Sequence, residues 1–96
     1  MRITVRYISI LLRDVTGRSS EAIETDGEGV ALRQLLDGIA SRHGERFRST
    51  LYSEDGAIQP HFHVLVNGQS ARFLDGMQTI VRDGDTVSFI TPIGGG

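Results

Sequence analysis

The 96-residue sequence ends Thr91-Pro92-Ile93-Gly94-Gly95-Gly96, and no other stretch points so directly to chemistry. The four residues beyond Pro92, at roughly 3.3–3.6 Å each when extended, span about 13–14 Å, enough to carry the chain end about 10 Å out. A thread of Cβ-free residues fits a narrow channel, so the expectation is that it carries the Gly96 carboxylate clear of the folded part. A carboxylate is a poor electrophile until one of its oxygens becomes a good leaving group, and the chemistry it offers is therefore activation followed by acyl transfer. The competing expectation is a frayed end with no role. The side chains supply little else. There is no cysteine, and all ten basic residues are arginine. That removes thiol nucleophiles, Cys-ligated metals, Schiff-base lysines and any ε-amine that could accept an isopeptide bond.

Other constellations are weaker. His61 and His63 share a face if their segment is a strand, but no third ligand accompanies them, so no metal site is assigned. Gly27-Glu28-Gly29 lacks the third glycine of a dinucleotide fingerprint, and Glu28 would repel a phosphate, so it reads as a turn. Arg42, Arg46 and Arg48 cluster where a helix would end and complement its dipole. Asp83-Gly84-Asp85 reads as a turn rather than a carboxylate pair. Ser9, Ser19 and Ser20 have no base at a recognisable spacing.

The elements that must position the tail follow from periodicity. Ile3, Val5 and Tyr7 alternate with Arg2, Thr4 and Arg6, which predicts a strand with one buried face. After a turn-rich stretch at 14–17, residues 20–25 read as the second arm of a hairpin. From about Val30, the spacing of Leu32, Leu35, Leu36 and Ile39 predicts a helix ending at His43-Gly44. Residues 47–55 read as a loop with one helical turn at most. His63-Val64-Leu65-Val66 reads as a strand turning at Asn67-Gly68 into 69–73. Residues 74–82 read as a connection with Met77 and Ile80 packed under the sheet. Asp83-Gly84 turns into a last strand at 85–90. The expected fold is α+β, a mixed sheet of four or five strands with one main helix on one face. The expected division is one domain over 1–93 followed by a flexible glycine tail over 94–96.

Composition sets the outer limits. With 39% hydrophobic and 6% aromatic residues the chain can bury one modest core. A net charge of −2 with interspersed signs leaves no electrostatic footprint for nucleic acid. No apolar run approaches the roughly 20 residues that cross a bilayer, and the alternating N-terminus does not read as a signal peptide. A cytoplasmic location without a membrane partner is the resulting expectation.

RITVRY, ALRQLL, VLVNG, DGDTVSF and the terminal PIGGG together resemble the ubiquitin-like β-grasp sulfur carriers: the molybdopterin synthase small subunit, the thiamine-pathway carrier and the cysteine-pathway carrier. The resemblance spans nearly the whole chain. Its length and the 47–62 segment look more like the cysteine-pathway carrier or a long molybdopterin-type subunit than the thiamine carrier. The resemblance implies a non-enzymatic carrier that binds no cofactor. An ATP-using, E1-like activating enzyme would adenylate Gly96, with Gly95 as the other half of the diglycine. Conversion to a thiocarboxylate would then let the carrier donate sulfur to a biosynthetic enzyme. It further implies an apolar sheet patch that meets the activating enzyme, with Tyr7, Ile90 and Phe73 at the matching positions. A ubiquitin-like modifier that acylates lysines of other proteins through the same carboxylate is the alternative, and a β-grasp binding module with an idle tail is a third.

Overall fold

The computed structural model describes residues 1–91. Strand β1 (Arg2–Tyr7) is followed by helix α1 (Ile10–Thr16), strands β2 (Ser20–Glu24) and β3 (Gly29–Ala31), and helices α2 (Leu32–His43) and α3 (Glu45–Leu51). Then come β4 (His63–Val66), β5 (Gln69–Ser70), β6 (Ile80–Arg82) and β7 (Thr86–Ile90), with short 3-10 turns at Ala71–Phe73 and Gly76–Gln78. Five strands form one mixed sheet in the order β2-β1-β7-β4-β5, while β3 and β6 make a separate antiparallel ribbon. β1 and β7 pair in parallel at the centre, with Tyr7 opposite Phe89. The first and last strands of the described chain therefore lie side by side.

Burial follows the alternation. Ile3, Val5 and Tyr7 of β1 face inward with Val87 and Phe89 of β7 and Val64 and Val66 of β4. Helix α2 lays Leu32, Leu35, Leu36, Ile39 and Ala40 on that layer. At the β4–β5 turn, Asn67 and Gly68 both take positive φ (51° and 85°), the type I′ signature whose twist matches flanking strands. Asn67 also ties the turn to β7, accepting from the Thr86 amide at 2.9 Å and donating to Asp85 Oδ1 at 3.0 Å.

Several segments differ from the sequence expectation: residues 71–73 form a 3-10 turn rather than the end of a strand, and Val30 and Ala31 belong to β3 rather than to the helix. The stretch read as turn-rich at 14–17 is instead the second half of α1 and its cap: the helix buries Leu12 and closes on Gly17 in the left-handed conformation. The loop expected at 47–55 begins with α3, two turns that bury Phe47 and Leu51 four positions apart. The 74–82 connection contains β6, and there Val81 is fully buried while Ile80 is 46% exposed. Pairing with β3 sets that parity, since a strand shows its two faces to alternate residues. The expected domain boundary at 93 and the 94–96 tail lie outside the described residues.

Candidate functional site

Because Gly95 and Gly96 lie outside the described residues, the site that can be built is the platform from which the tail departs. β7 is flanked on both sides, by β1 in parallel and β4 antiparallel, so the chain leaves from the middle of the sheet. Two contacts fix its root. The Ser9 amide donates to the Phe89 carbonyl at 2.8 Å, and the Thr91 hydroxyl donates to Ser9 Oγ. Ser9 is buried, so this junction is held from within. Around it the surface is apolar. Ile8 and Leu11 are partly exposed and Ile10 is 65% exposed, while Ile90 is half-buried and registers with His63 of β4.

The three residues expected to form a partner patch are not brought together. Ile90 is at the tail root. Phe73 is 88% exposed but stands in the 3-10 turn after β5, beyond the opposite side of β4. Tyr7 is a correction: it is fully buried and offers no surface. The alternation of β1 places residue 7 on the core side, where its ring stacks on Phe89 at 5.8 Å and meets Phe47 edge-on.

The Tyr7 hydroxyl has a different use. It donates to Glu21 Oε2 at 2.5 Å, and His43 Nε2 lies 2.6 Å from the same oxygen. Arg42 donates to Oε1 at 3.1 Å, and Arg18 stands 3.7 Å away. Burial and the adjacent carboxylate push the Tyr7 phenol well above its ordinary range. Burial opposes the Glu21 charge, but the hydrogen bonds from Tyr7, His43 and Arg42 outweigh it and hold the carboxyl below its usual value. The cluster ties β1, β2 and the end of α2 together.

An open groove of about 540 Å³ between α2, α3 and the 52–59 segment is lined by mixed charges including Arg33, Asp37, Arg48 and Glu54. There Tyr52 donates to Asp37 Oδ1 at 3.2 Å, and burial and that carboxylate push its phenol up to about 12. No group of metal-ligating residues gathers among the described residues, and His61 and His63 find no third ligand there. No helix among the described residues is long and apolar enough to cross a membrane.

A chain that departs from the centre of such a sheet matches the ThiS family model over residues 11–96. The protein belongs to the ThiS family. Its full length aligns at 36% identity with all of small archaeal modifier protein 3 of Haloferax volcanii. It aligns at 28% identity over the whole of both chains with the sulfur carrier protein CysO of Mycobacterium tuberculosis. It is also similar to the Amycolatopsis orientalis BexX/CysO complex structure, at 30% identity with a TM-score of 0.74 over 98% of this chain and 99% of that one. The fold is thus that of the ubiquitin-like β-grasp proteins, and the relatives of this ThiS-family chain include both carriers and modifiers.

Several platform residues escaped the sequence reading: Ile8, Ile10, Leu11 and the Ser9–Thr91 pair. A signal for the first was present. If Ile3, Val5 and Tyr7 face the core, Ile8 is the next residue on the open side. Nothing in the spacing links Ser9 to Thr91, which are 82 positions apart.

Proposed function

We propose that this ThiS-family protein is a sulfur carrier, a co-substrate of partner enzymes in the cytoplasm rather than a catalyst. An E1-like activating enzyme consuming ATP would couple the Gly96 carboxylate to AMP with loss of pyrophosphate. A sulfur donor would displace AMP to leave a thiocarboxylate, which then transfers sulfur to a biosynthetic enzyme. The observation that carries the proposal is the terminal diglycine following a strand at the centre of a ThiS-family sheet. The length-matched similarity to CysO supports it.

The chain supplies its own test. With no cysteine present, iodoacetamide at neutral pH finds one strong sulfur nucleophile, the thiocarboxylate itself. Protein incubated with an E1-like activating enzyme, ATP and sulfide, and then treated with iodoacetamide, should gain one carbamidomethyl group at its C-terminus. Omission of ATP, or truncation of Gly96, should abolish the gain; labelling that persists without ATP refutes the proposal.

The similarity to small archaeal modifier protein 3 favours a second use of the same activated carboxylate, acylation of lysines on other proteins. Tagged protein recovered from its host under denaturing conditions and digested with trypsin would then yield lysine peptides of other proteins branched through an isopeptide bond to residues 83–96, since Arg82 is the last basic residue. Absence of such peptides removes the modifier reading.

A further inference from the structure

Strand β2 forms one edge of the sheet, and among the described residues its outer side pairs with no strand. The phase of its ladder shows which backbone groups are left over. Met1 and Thr25 exchange amine-to-carbonyl and amide-to-carbonyl bonds at 2.7 and 3.0 Å, and the Tyr7 amide donates to the Ser19 carbonyl at 2.8 Å. Antiparallel pairs alternate between bonded and non-bonded positions, so Ile23 and Glu21 bond inward to β1. Ser20, Ala22 and Glu24 consequently aim their N–H and C=O groups outward.

Beside this edge runs a groove of about 230 Å³ between β2 and α2, lined by Ile23, Val30, Gln34, Leu35, Gly38 and Arg42. It is smaller than the roughly 300–1,000 Å³ of small-molecule sites, a size suited to a few side chains of an extended chain. Gly38 keeps it open. A glycine inside a helix costs stability relative to alanine, yet a Cβ at Gly38 would meet nothing within 4 Å. Packing within the domain therefore does not require this glycine, whereas a larger side chain would project into the groove.

The groove is polar in its charge. At the β2 start, Arg18 and Arg42 both approach the single carboxylate of Glu21, which Tyr7 and His43 also occupy, so the two guanidiniums are only partly neutralised. At the other end Glu24 is exposed and Asp26 and Glu28 follow it.

We infer that the β2–α2 groove binds an extended peptide segment of a partner protein by strand addition: main-chain bonds to Ala22 and Glu24, alternate apolar side chains over Ile23 and Gly38, and an acidic residue beside Arg18 and Arg42. The site lies on the edge opposite β5 and is independent of the chemistry at the tail.

The test uses three synthetic peptides around a Val-Ile-Val-Ile core, flanked by aspartates at the C-terminal end, by aspartates at the N-terminal end, or by lysines. Each is titrated into the ¹⁵N-labelled full chain. The expected result is amide shifts confined to β2 and the Gln34–Gly38–Arg42 face, with at least one acidic peptide binding about tenfold more tightly than the lysine peptide. Gly38→Leu should abolish those shifts while thermal stability is kept or raised. Ala22→Pro, which removes an outward N–H at an edge where proline is tolerated, should weaken binding with the fold intact. Absence of shifts at β2 and α2 for all three peptides overturns the inference, as does binding indifferent to Gly38→Leu. Concentration-dependent dimerisation through the same edge would overturn it in favour of a second copy of this chain.

Discussion

Replacing Tyr7 with phenylalanine keeps the stacked ring and removes only the hydroxyl that donates to buried Glu21 at 2.5 Å. The carboxylate, whose side chain is 2% exposed, is shielded from bulk solvent and retains only His43 and the two arginines. A hydrogen bond to a charged group contributes about 1.5–3 kcal/mol. For a domain of this size, Tyr7→Phe should therefore lower Tm by roughly 10 °C. The pH dependence separates this cause from simple repacking. Glu21 is held below its ordinary value when folded, so its contribution is fully present above the unfolded glutamate value of about 4.3 and is lost as pH falls through the folded value. Losing the Tyr7 donor raises the folded value and narrows that window, so the gap between wild type and variant should shrink as pH falls. Urea unfolding at a series of pH values between neutrality and pH 3 reads both quantities. A Tyr7→Phe protein within about 0.5 kcal/mol of wild type at pH 7, or a gap independent of pH, refutes the reasoning.

Other expectations follow from the same geometry. Leu36→Ala, at a fully buried position in the middle of α2, should cost about 2–5 kcal/mol in chemical denaturation. Asn67→Ala removes a side chain that both accepts from Thr86 and donates to Asp85, and it leaves alanine at positive φ, so a loss of about 1–3 kcal/mol is expected. Ile10→Asp at the exposed tail platform should leave stability within about 0.5 kcal/mol of wild type, yet raise the KM of the activating enzyme for this protein, measured by pyrophosphate exchange. If the protein modifies others, the absence of lysine forbids lysine-linked chains of itself, so immunoblots should show single additions to each target site and no regular ladder.

Where the sequence was legible, one physical pattern ruled a whole element. The alternation of RITVRY and the Leu32, Leu35, Leu36, Ile39 stripe each belong to elements that turn one face to the core, and both stand in the structure as β1 and α2. The short helices were hidden for a reason of length. Ile10-Leu11-Leu12 is a continuous apolar run of which only Leu12 is buried, and the two-turn α3 shows its period only in Phe47 and Leu51. β6 was missed because its partner is the three-residue β3, a pairing that local spacing does not encode. The expected reactive end, Gly95 and Gly96, lies outside the described residues, and the platform that precedes it was legible only in part. The residues flanking the tail root come from opposite ends of the chain, and the Tyr7 assignment overlooked what the β1 alternation already required: residue 7 inside and Ile8 outside.

The intact mass of the protein isolated from its native host tests the central claim most directly. A population heavier by the difference between one sulfur and one oxygen atom, with fragmentation placing the gain on Gly96, is the predicted result. A single unmodified mass, under conditions in which a CysO-type carrier from the same extract is found as thiocarboxylate, would contradict the carrier account.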